Sequence, residues 1–150
     1  MSLTLFLQET RISCTVACLR MVLAHSGILV DEATLRAGCK TTESGTRAQD
    51  AAACARQYGF EAEEVSNARW QELEEWLAAG IYPIILLNLF PLRLLWVKHA
   101  VIAESADQDR VTYLDPIYGR QEAEITVFDQ AWAMNRYRAI LVKQSGNPAA

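Results

Sequence analysis

Helix-type and strand-type patterns divide this chain of 150 residues into two parts, and this division constrains the fold most. Before residue 80, apolar residues recur mostly at helical spacing. Later segments are short apolar runs, and the nearly continuous run PIILLNL at 83–89 predicts a central buried strand. Early helices followed by late strands predict an α+β fold. The length is typical of one domain, which we expect to span 1–150, with 145–150 as a loose tail.

The predicted elements follow from periodicity and from the residues that cap helices. Ser13, Asp31 and Thr46 are expected to cap three helices, because short polar side chains accept hydrogen bonds from free N–H groups there. Helices are predicted at 14–26, 31–39, 47–59, 68–80 and 128–134, and strands at 60–65, 83–89, 99–105, 110–115 and 138–143.

Composition and charge exclude several functional classes. The 14 Lys and Arg residues against 18 Asp and Glu give a net charge of −4, which argues against nucleic-acid binding as the main activity. The four cysteines, at 14, 18, 39 and 54, lack the paired CxxC spacing of a zinc site. The sequence has no secretory signal and no uninterrupted apolar stretch that could span a membrane. We therefore expect a cytoplasmic protein with reduced thiols.

Cys14 is the main candidate for chemistry. A helix capped by Ser13 has Cys14 as its first residue, where free N–H groups and the helix dipole lower a thiol pKa below about 8.5. Gln8, six residues upstream, carries an amide that can donate a hydrogen bond to an oxyanion near the thiol. The pattern indicates nucleophilic catalysis. In the alternative interpretation, Cys14 is a small buried hydrophobic residue, as most cysteines with apolar neighbours are.

The chain contains two histidines that could serve as the base. His25 lies roughly 16 Å from Cys14 along the predicted helix, at about 1.5 Å per residue, which is too far. His99 begins a predicted strand. If the following hairpin turns near Asp107, the numbers of antiparallel partners sum to about 214, and His99 faces Asp115. A register error of one or two residues would still leave the two residues neighbours. A carboxylate there can fix the imidazole tautomer and leave the other nitrogen for the thiol; the alternatives are a sheet-edge histidine and a turn aspartate.

These residues, in this order, resemble the C39 cysteine peptidases, papain-like bacterial enzymes best known as bacteriocin-leader processing domains. The resemblance rests on Gln8 through Cys14 to Gly27, on Gly45-Thr46 and Gly59-Phe60 around an alanine-rich helix, and on HAVI at 99–102 and LDP at 114–116 before Gly119. Thr15 stands where the family usually has glycine. The resemblance implies a papain-like fold in which an N-terminal helical lobe carrying the nucleophile packs on a C-terminal antiparallel sheet.

The resemblance also implies roles for the candidate residues. Cys14 is then the nucleophile, His99 the general base and later the acid, and Asp115 the orienting carboxylate. Gln8 forms an oxyanion hole with the backbone N–H of Cys14, and neither a metal nor an organic cofactor is required. The implied activity is endopeptidase cleavage of a peptide or protein substrate after a Gly-Gly pair.

Two alternatives remain open at this point. In one, the same chemistry serves in a toxin domain that is delivered to another cell and controlled by an immunity protein. In the other, the domain is a non-catalytic peptide-binding module of the same fold. The apolar residues just before His99 are a candidate wall for the substrate, although we place simple core burial first; they are Leu92, Leu94, Leu95 and Trp96.

Overall fold

The computed structural model describes residues 2–144, which form a six-stranded antiparallel sheet with helices on both faces. The helices are α1 (Cys14–His25), α2 (Glu32–Gly38), α3 (Ala48–Gln57), α4 (Trp70–Ala78), α5 (Phe90–Arg93) and α6 (Ile125–Ala133). The strands are β1 (Phe60–Val65), β2 (Ile84–Asn88), β3 (Lys98–Ala106), β4 (Arg110–Asp115), β5 (Gly119–Glu124) and β6 (Arg138–Gln144), in the order β1-β6-β2-β3-β4-β5. The predicted tail at 145–150 lies outside the described residues.

Strand β2 confirms the predicted buried strand and separates two hydrophobic cores. Ile84 and Leu86 belong to a core shared with α1, α2 and α3. Ile85 and Leu87 belong to a second core shared with α4 and α6. Burial on both faces explains why residues 84–87 are all apolar instead of alternating with polar residues. The N-terminal helices therefore pack on the sheet as expected, and two later helices cover its other face.

Two elements were not predicted from the sequence. Strand β5 pairs with β4 from Arg110 opposite Glu124 to Asp115 opposite Gly119, and it buries only glycine and alanine, so it lacks an apolar pattern. Helix α5 lies between the strands predicted at 83–89 and 99–105, in a segment for which neither a helix nor a strand was predicted. Its second residue is Pro91, which the first turn of a helix tolerates because the missing N–H would be unpaired there.

The predicted helix caps differ in outcome. Asp31 is confirmed, since its carboxylate accepts a hydrogen bond of 2.7 Å from the N–H of Thr34. The prediction of Thr46 as a cap is wrong by one residue, because Arg47 occupies the cap position of α3. Ser13 occupies the cap position of α1, but its side chain makes no capping bond and is hydrogen-bonded to the backbone of Thr10 instead.

Across residues 2–144, no helix combines the length and the hydrophobicity needed to cross a membrane.

Candidate active site

Cys14 differs from the other cysteines in its surroundings. It is the first residue of α1, as predicted, and it is partly exposed, whereas Cys18, Cys39 and Cys54 are buried. All four are free thiols. Burial raises the pKa of Cys18 and of Cys39 above the ordinary thiol value, so these groups stay protonated. The interpretation as a small buried hydrophobic residue therefore fits these three cysteines and not Cys14.

His99 and Asp115 are joined by a buried hydrogen bond. The distance from His99 Nε2 to Asp115 Oδ1 is 2.8 Å, and the side chains are 5% and 0% exposed. The same carboxylate oxygen accepts hydrogen bonds from the N–H groups of Ile117 at 2.8 Å and Tyr118 at 3.3 Å. These bonds fix the carboxylate, and its bond to Nε2 leaves Nδ1 of the imidazole as the nitrogen available to a thiol.

The register that brings these two residues together differs from the predicted one. In the β3–β4 hairpin Ile102 faces Leu114, and continuing this register puts Asp115 opposite Val101. The predicted register was therefore wrong by two residues. The pairing also contains a bulge between Ala103 and Ser105. A two-residue offset leaves both side chains on one face of the sheet, where diagonal neighbours are within reach.

The pKa values of the thiol and the imidazole shift in opposite directions. Burial alone would raise the pKa of Cys14, but the hydrogen bond and the charge of His99 lower it below its ordinary value. The N–H of Ala100 and the hydroxyl of Thr15 contribute further hydrogen bonds in the same direction. Burial lowers the pKa of His99, yet its hydrogen bonds to Asp115 and Cys14 raise it to about 9. The environment thus favours a thiolate beside an imidazolium.

Thr15 and Ala100 were not identified from the sequence as contributors to the site. Thr15 is 6% exposed and follows Cys14 directly, and its hydroxyl adds a hydrogen bond that glycine could not supply. The position of Thr15 directly after the candidate nucleophile is the sequence feature from which its contribution could have been predicted. The role of Ala100 depends on its backbone N–H, which carries no signal in the side-chain pattern.

Gln8 directly precedes the turn that leads into α1. Its backbone N–H donates to the carbonyl of Pro116 at 2.8 Å, and its side-chain Nε2 donates to the carbonyl of Thr10 at 2.7 Å. Its Oε1 is buried and has no hydrogen-bond partner within residues 2–144. An amide nitrogen carries two hydrogens, so one donor of Gln8 remains after the bond to Thr10.

A cleft of about 420 Å³ opens beside the thiol and the imidazole. One wall is the turn before α3, and the other is the end of the sheet. The lining of the cleft includes Cys14, Thr15, Gly45, Lys98, His99 and Arg138. A cavity of about 490 Å³ at the far end of α1, beside His25 and Tyr82, has no cysteine or carboxylate among its described lining residues. The cleft is therefore the candidate active site.

The apolar segment before His99 is exposed. Leu94 and Trp96 are 78% and 74% exposed, and Leu95 is 46% exposed. Leu92 alone of the four is partly buried and packs against a core. Core burial is therefore the wrong interpretation for most of this segment, which presents an apolar surface next to the strand that carries His99.

Solved structures share this fold. A double glycine motif protease from an AMS/PCAT transporter, in complex with the leader peptide, has a TM-score of 0.79 and 21% identity, covering 95% of this chain and 92% of that one. A C39-like peptidase from Bacillus anthracis has a TM-score of 0.79 and 18% identity, covering 98% and 100%. The peptidase domain of Streptococcus ComA, a bifunctional ABC transporter of a quorum-sensing pathway, has a TM-score of 0.77 and 20% identity, covering 96% and 98%.

The curated proteins contain no match to this chain. Residues 2–145, which include the thiol, the imidazole and the carboxylate described above, match the Peptidase C39 family. The expected relationship is confirmed, and it favours an enzyme over a non-catalytic peptide-binding module. The chain belongs to the Peptidase C39 family and is a cysteine peptidase with the papain-like fold of that family.

Proposed function

We propose that Cys14, His99 and Asp115 form the catalytic triad of this peptidase, with Gln8 and the backbone N–H of Cys14 as its oxyanion hole. The observation that carries the proposal is the buried hydrogen bond of 2.8 Å between His99 and Asp115. A lowered pKa on Cys14 beside a raised pKa on His99 supports a thiolate–imidazolium pair, which is the reactive form of a thiol nucleophile.

The proposed reaction uses these groups in turn. The Cys14 thiolate attacks the peptide carbonyl carbon, a C–S bond forms, and the carbonyl electron pair moves onto oxygen. The N–H of Cys14 lies in the first turn of α1 and so has no partner within the helix; it and the free donor of Gln8 stabilise this oxyanion. His99 then donates its proton to the leaving amine as the C–N bond breaks. Finally, His99 accepts a proton from water, whose oxygen adds to the thioester carbonyl. The C–S bond then breaks, the acid is released, and the electron pair returns to sulfur as the Cys14 thiolate.

The proposed substrate is a peptide cut after a Gly-Gly pair. One structure with the same fold is described as a double glycine motif protease bound to a leader peptide, and this supports the same preference here. Gly45 in the cleft wall has a φ of +100°, a conformation that favours glycine, so this part of the wall is bare backbone that an extended peptide can approach closely. Exposed Leu94 and Trp96 offer an apolar surface for other side chains of the peptide.

We also propose that the enzyme acts in the cytoplasm of a bacterial cell. All four cysteines are free, and the proposed mechanism needs Cys14 as a thiolate. A reducing compartment maintains that state, whereas an oxidising one promotes disulfides.

The test compares a fluorogenic peptide that contains Gly-Gly with the same peptide containing Ala-Ala. The wild-type enzyme should cleave after Gly-Gly and leave the Ala-Ala peptide intact. Cys14→Ala and His99→Ala should both abolish cleavage, whereas His25→Ala, which removes the other histidine, should not. Equal cleavage of both peptides would refute the Gly-Gly preference, and cleavage by Cys14→Ala would refute the nucleophile.

A further inference from the structure

The carboxylate of Glu32 is fully buried, which is unusual for a charged side chain. Glu32 is the first residue of α2, and one of its oxygens accepts a hydrogen bond of 2.7 Å from Arg36 Nη1. The other oxygen accepts a hydrogen bond of 3.0 Å from the backbone N–H of Glu9. The ion pair with Arg36 balances the negative charge of the buried carboxylate. The second oxygen binds the backbone at Glu9, which is distant from Glu32 in the sequence.

The backbone that Glu32 holds is next to Gln8. The N–H of Glu9 follows Gln8 directly, while the N–H of Gln8 itself is held by the carbonyl of Pro116 at 2.8 Å. Hydrogen bonds on two consecutive N–H groups fix the position and rotation of this backbone segment. One of them comes from α2 and the other from the turn that follows Asp115.

The side chain of Gln8 is held by the turn after it. Its Nε2 donates to the carbonyl of Thr10, and the hydroxyl of Ser13 donates to the same carbonyl at 2.9 Å and accepts from the N–H of Thr10 at 3.0 Å. Ser13 is fully buried and directly precedes Cys14. The turn is therefore tied to the nucleophile at one end and to Glu32 at the other.

We propose that Glu32 is a positioning residue that holds the Gln8 amide in place for the oxyanion of the reaction. The inference rests on the oxyanion role assigned to Gln8 in the proposed function. Glu32 itself touches neither the thiol nor the imidazole. A charge-assisted hydrogen bond to a backbone N–H is stronger than a neutral one, which suits a group that must hold a turn without fluctuation. Preorganised donors stabilise an oxyanion because they need no reorientation during the reaction.

Two small reagents separate oxyanion stabilisation from thiolate reactivity without a peptide substrate. With p-nitrophenyl acetate, the Cys14 thiolate adds to the ester carbonyl through an oxyanion; a C–S bond forms, the C–O bond breaks and p-nitrophenolate leaves with the electron pair. With iodoacetamide, the thiolate displaces iodide from a CH₂ carbon, and no oxyanion forms. The ratio of the acylation rate constant to the alkylation rate constant measures how well the oxyanion is stabilised. The alkylation rate constant alone measures the reactivity of the thiolate. Peptide mass mapping assigns both modifications to Cys14.

Glu32→Met fills the space of the side chain and removes the acceptor; Glu32→Ala is a second variant without an acceptor. Either one should lower the acylation-to-alkylation ratio about tenfold, because small misplacements of a catalytic donor are costly. Alkylation rates should stay within about twofold of wild type, since the thiolate is untouched. Glu32→Gln keeps an oxygen for the N–H of Glu9 and should restore most of the ratio. Asp31→Ala weakens the same helix without touching Glu9 and should leave the ratio unchanged.

The double variant decides whether Glu32 acts through Gln8. Gln8→Ala alone should lower the ratio about a hundredfold, the typical effect of losing one oxyanion donor. Adding Glu32→Met to it should then have no further effect, because residues that act through one another are not additive. If Gln8→Ala keeps the wild-type ratio, the oxyanion role in the proposed function fails. If Gln8→Ala lowers the ratio but the Glu32 variants do not, or if the two effects multiply, the positioning role of Glu32 is overturned and Gln8 keeps its own.

Discussion

Nε2 of His99 lies 2.8 Å from Oδ1 of Asp115, although the two residues are not direct partners in the β3–β4 hairpin. They are diagonal neighbours near the point where that pairing begins. Two backbone N–H groups in the turn after Asp115 bind the same oxygen, so the carboxylate is fixed before any substrate arrives. An imidazole bonded through Nε2 directs its other nitrogen away from the carboxylate, where it is available to the thiol.

The pH dependence of the site should show both shifted groups. The lowered pKa of Cys14 means that the thiolate forms at a lower pH than in a free thiol, so the midpoint of alkylation should lie below the free-thiol value of about 8.5. The raised pKa of His99, about 9, means that the imidazolium is lost only as the pH rises through that value. Peptide cleavage should therefore fall above about pH 9, because His99 can no longer protonate the leaving amine. Rates of iodoacetamide alkylation and of peptide cleavage across pH check both limbs. An alkylation midpoint at or above the free-thiol value of about 8.5 would contradict the prediction.

Asp115→Asn should separate the charge of this residue from its shape. Asparagine keeps an oxygen that can accept from the N–H of Ile117, but it removes the charge that raises the pKa of His99. The basic limb of the activity profile should move to lower pH, and kcat should fall by roughly two to four orders of magnitude. Asp109→Asn, at an exposed carboxylate in the same hairpin, is the matched control. A basic limb that stays near pH 9 in Asp115→Asn would show that the charge of Asp115 does not raise the pKa of His99.

Thr15 should tune the nucleophile through its hydroxyl. Thr15→Val keeps the shape of the side chain and removes the hydrogen bond to Cys14, so the pKa of Cys14 should rise. Thr15→Ser keeps the hydroxyl and should leave the pKa near the wild-type value. The midpoint of the pH dependence of alkylation measures the change directly. Equal midpoints in the two variants would show that the hydroxyl does not bind the thiolate.

Trp132 should be important for stability and not for chemistry. It is fully buried in the second core, and its indole N–H donates to the carbonyl of Arg138 at 2.8 Å. Trp132→Ala should lower the free energy of unfolding by about 3–5 kcal/mol, the usual cost of removing a large buried side chain. Trp132→Phe keeps most of the packing but removes the hydrogen bond to that carbonyl, at a cost of about 1 kcal/mol. Urea unfolding followed by circular dichroism measures both, with Met134→Ala as an exposed control on the same segment. Equal stability of Trp132→Phe and wild type would show that the indole hydrogen bond adds nothing.

Local patterns predicted most of the elements because each period reflects the burial of one segment. The run at 83–89 was predicted to be a buried strand because it is almost continuously apolar. It is apolar because its alternate residues are buried in two different cores. Strand β5 was missed because it has almost no buried apolar residues. Its buried positions are only Gly119 and Ala123, and the polar residues between them leave no alternation of apolar and polar side chains. The segment before His99 was placed in the core because it is apolar, although exposed apolar residues are common on protein surfaces and near binding sites.

The sequence by itself determined where Cys14 lies, because a helix start is a local event that the apolar spacing of the following residues indicates, although the Ser13 side chain makes no capping bond. It also reduced the candidates for the general base to His99, since the chain has only two histidines and His25 lies too far along the helix from Cys14. Only the tertiary structure decided the sheet order, in which β1 pairs with the distant β6, and the diagonal offset between His99 and Asp115. The contact of Glu32 with the backbone beside Gln8 belongs to this second class. Such relationships depend on which faces are buried together across long stretches of chain, and side-chain periodicity within one segment carries no information about that choice.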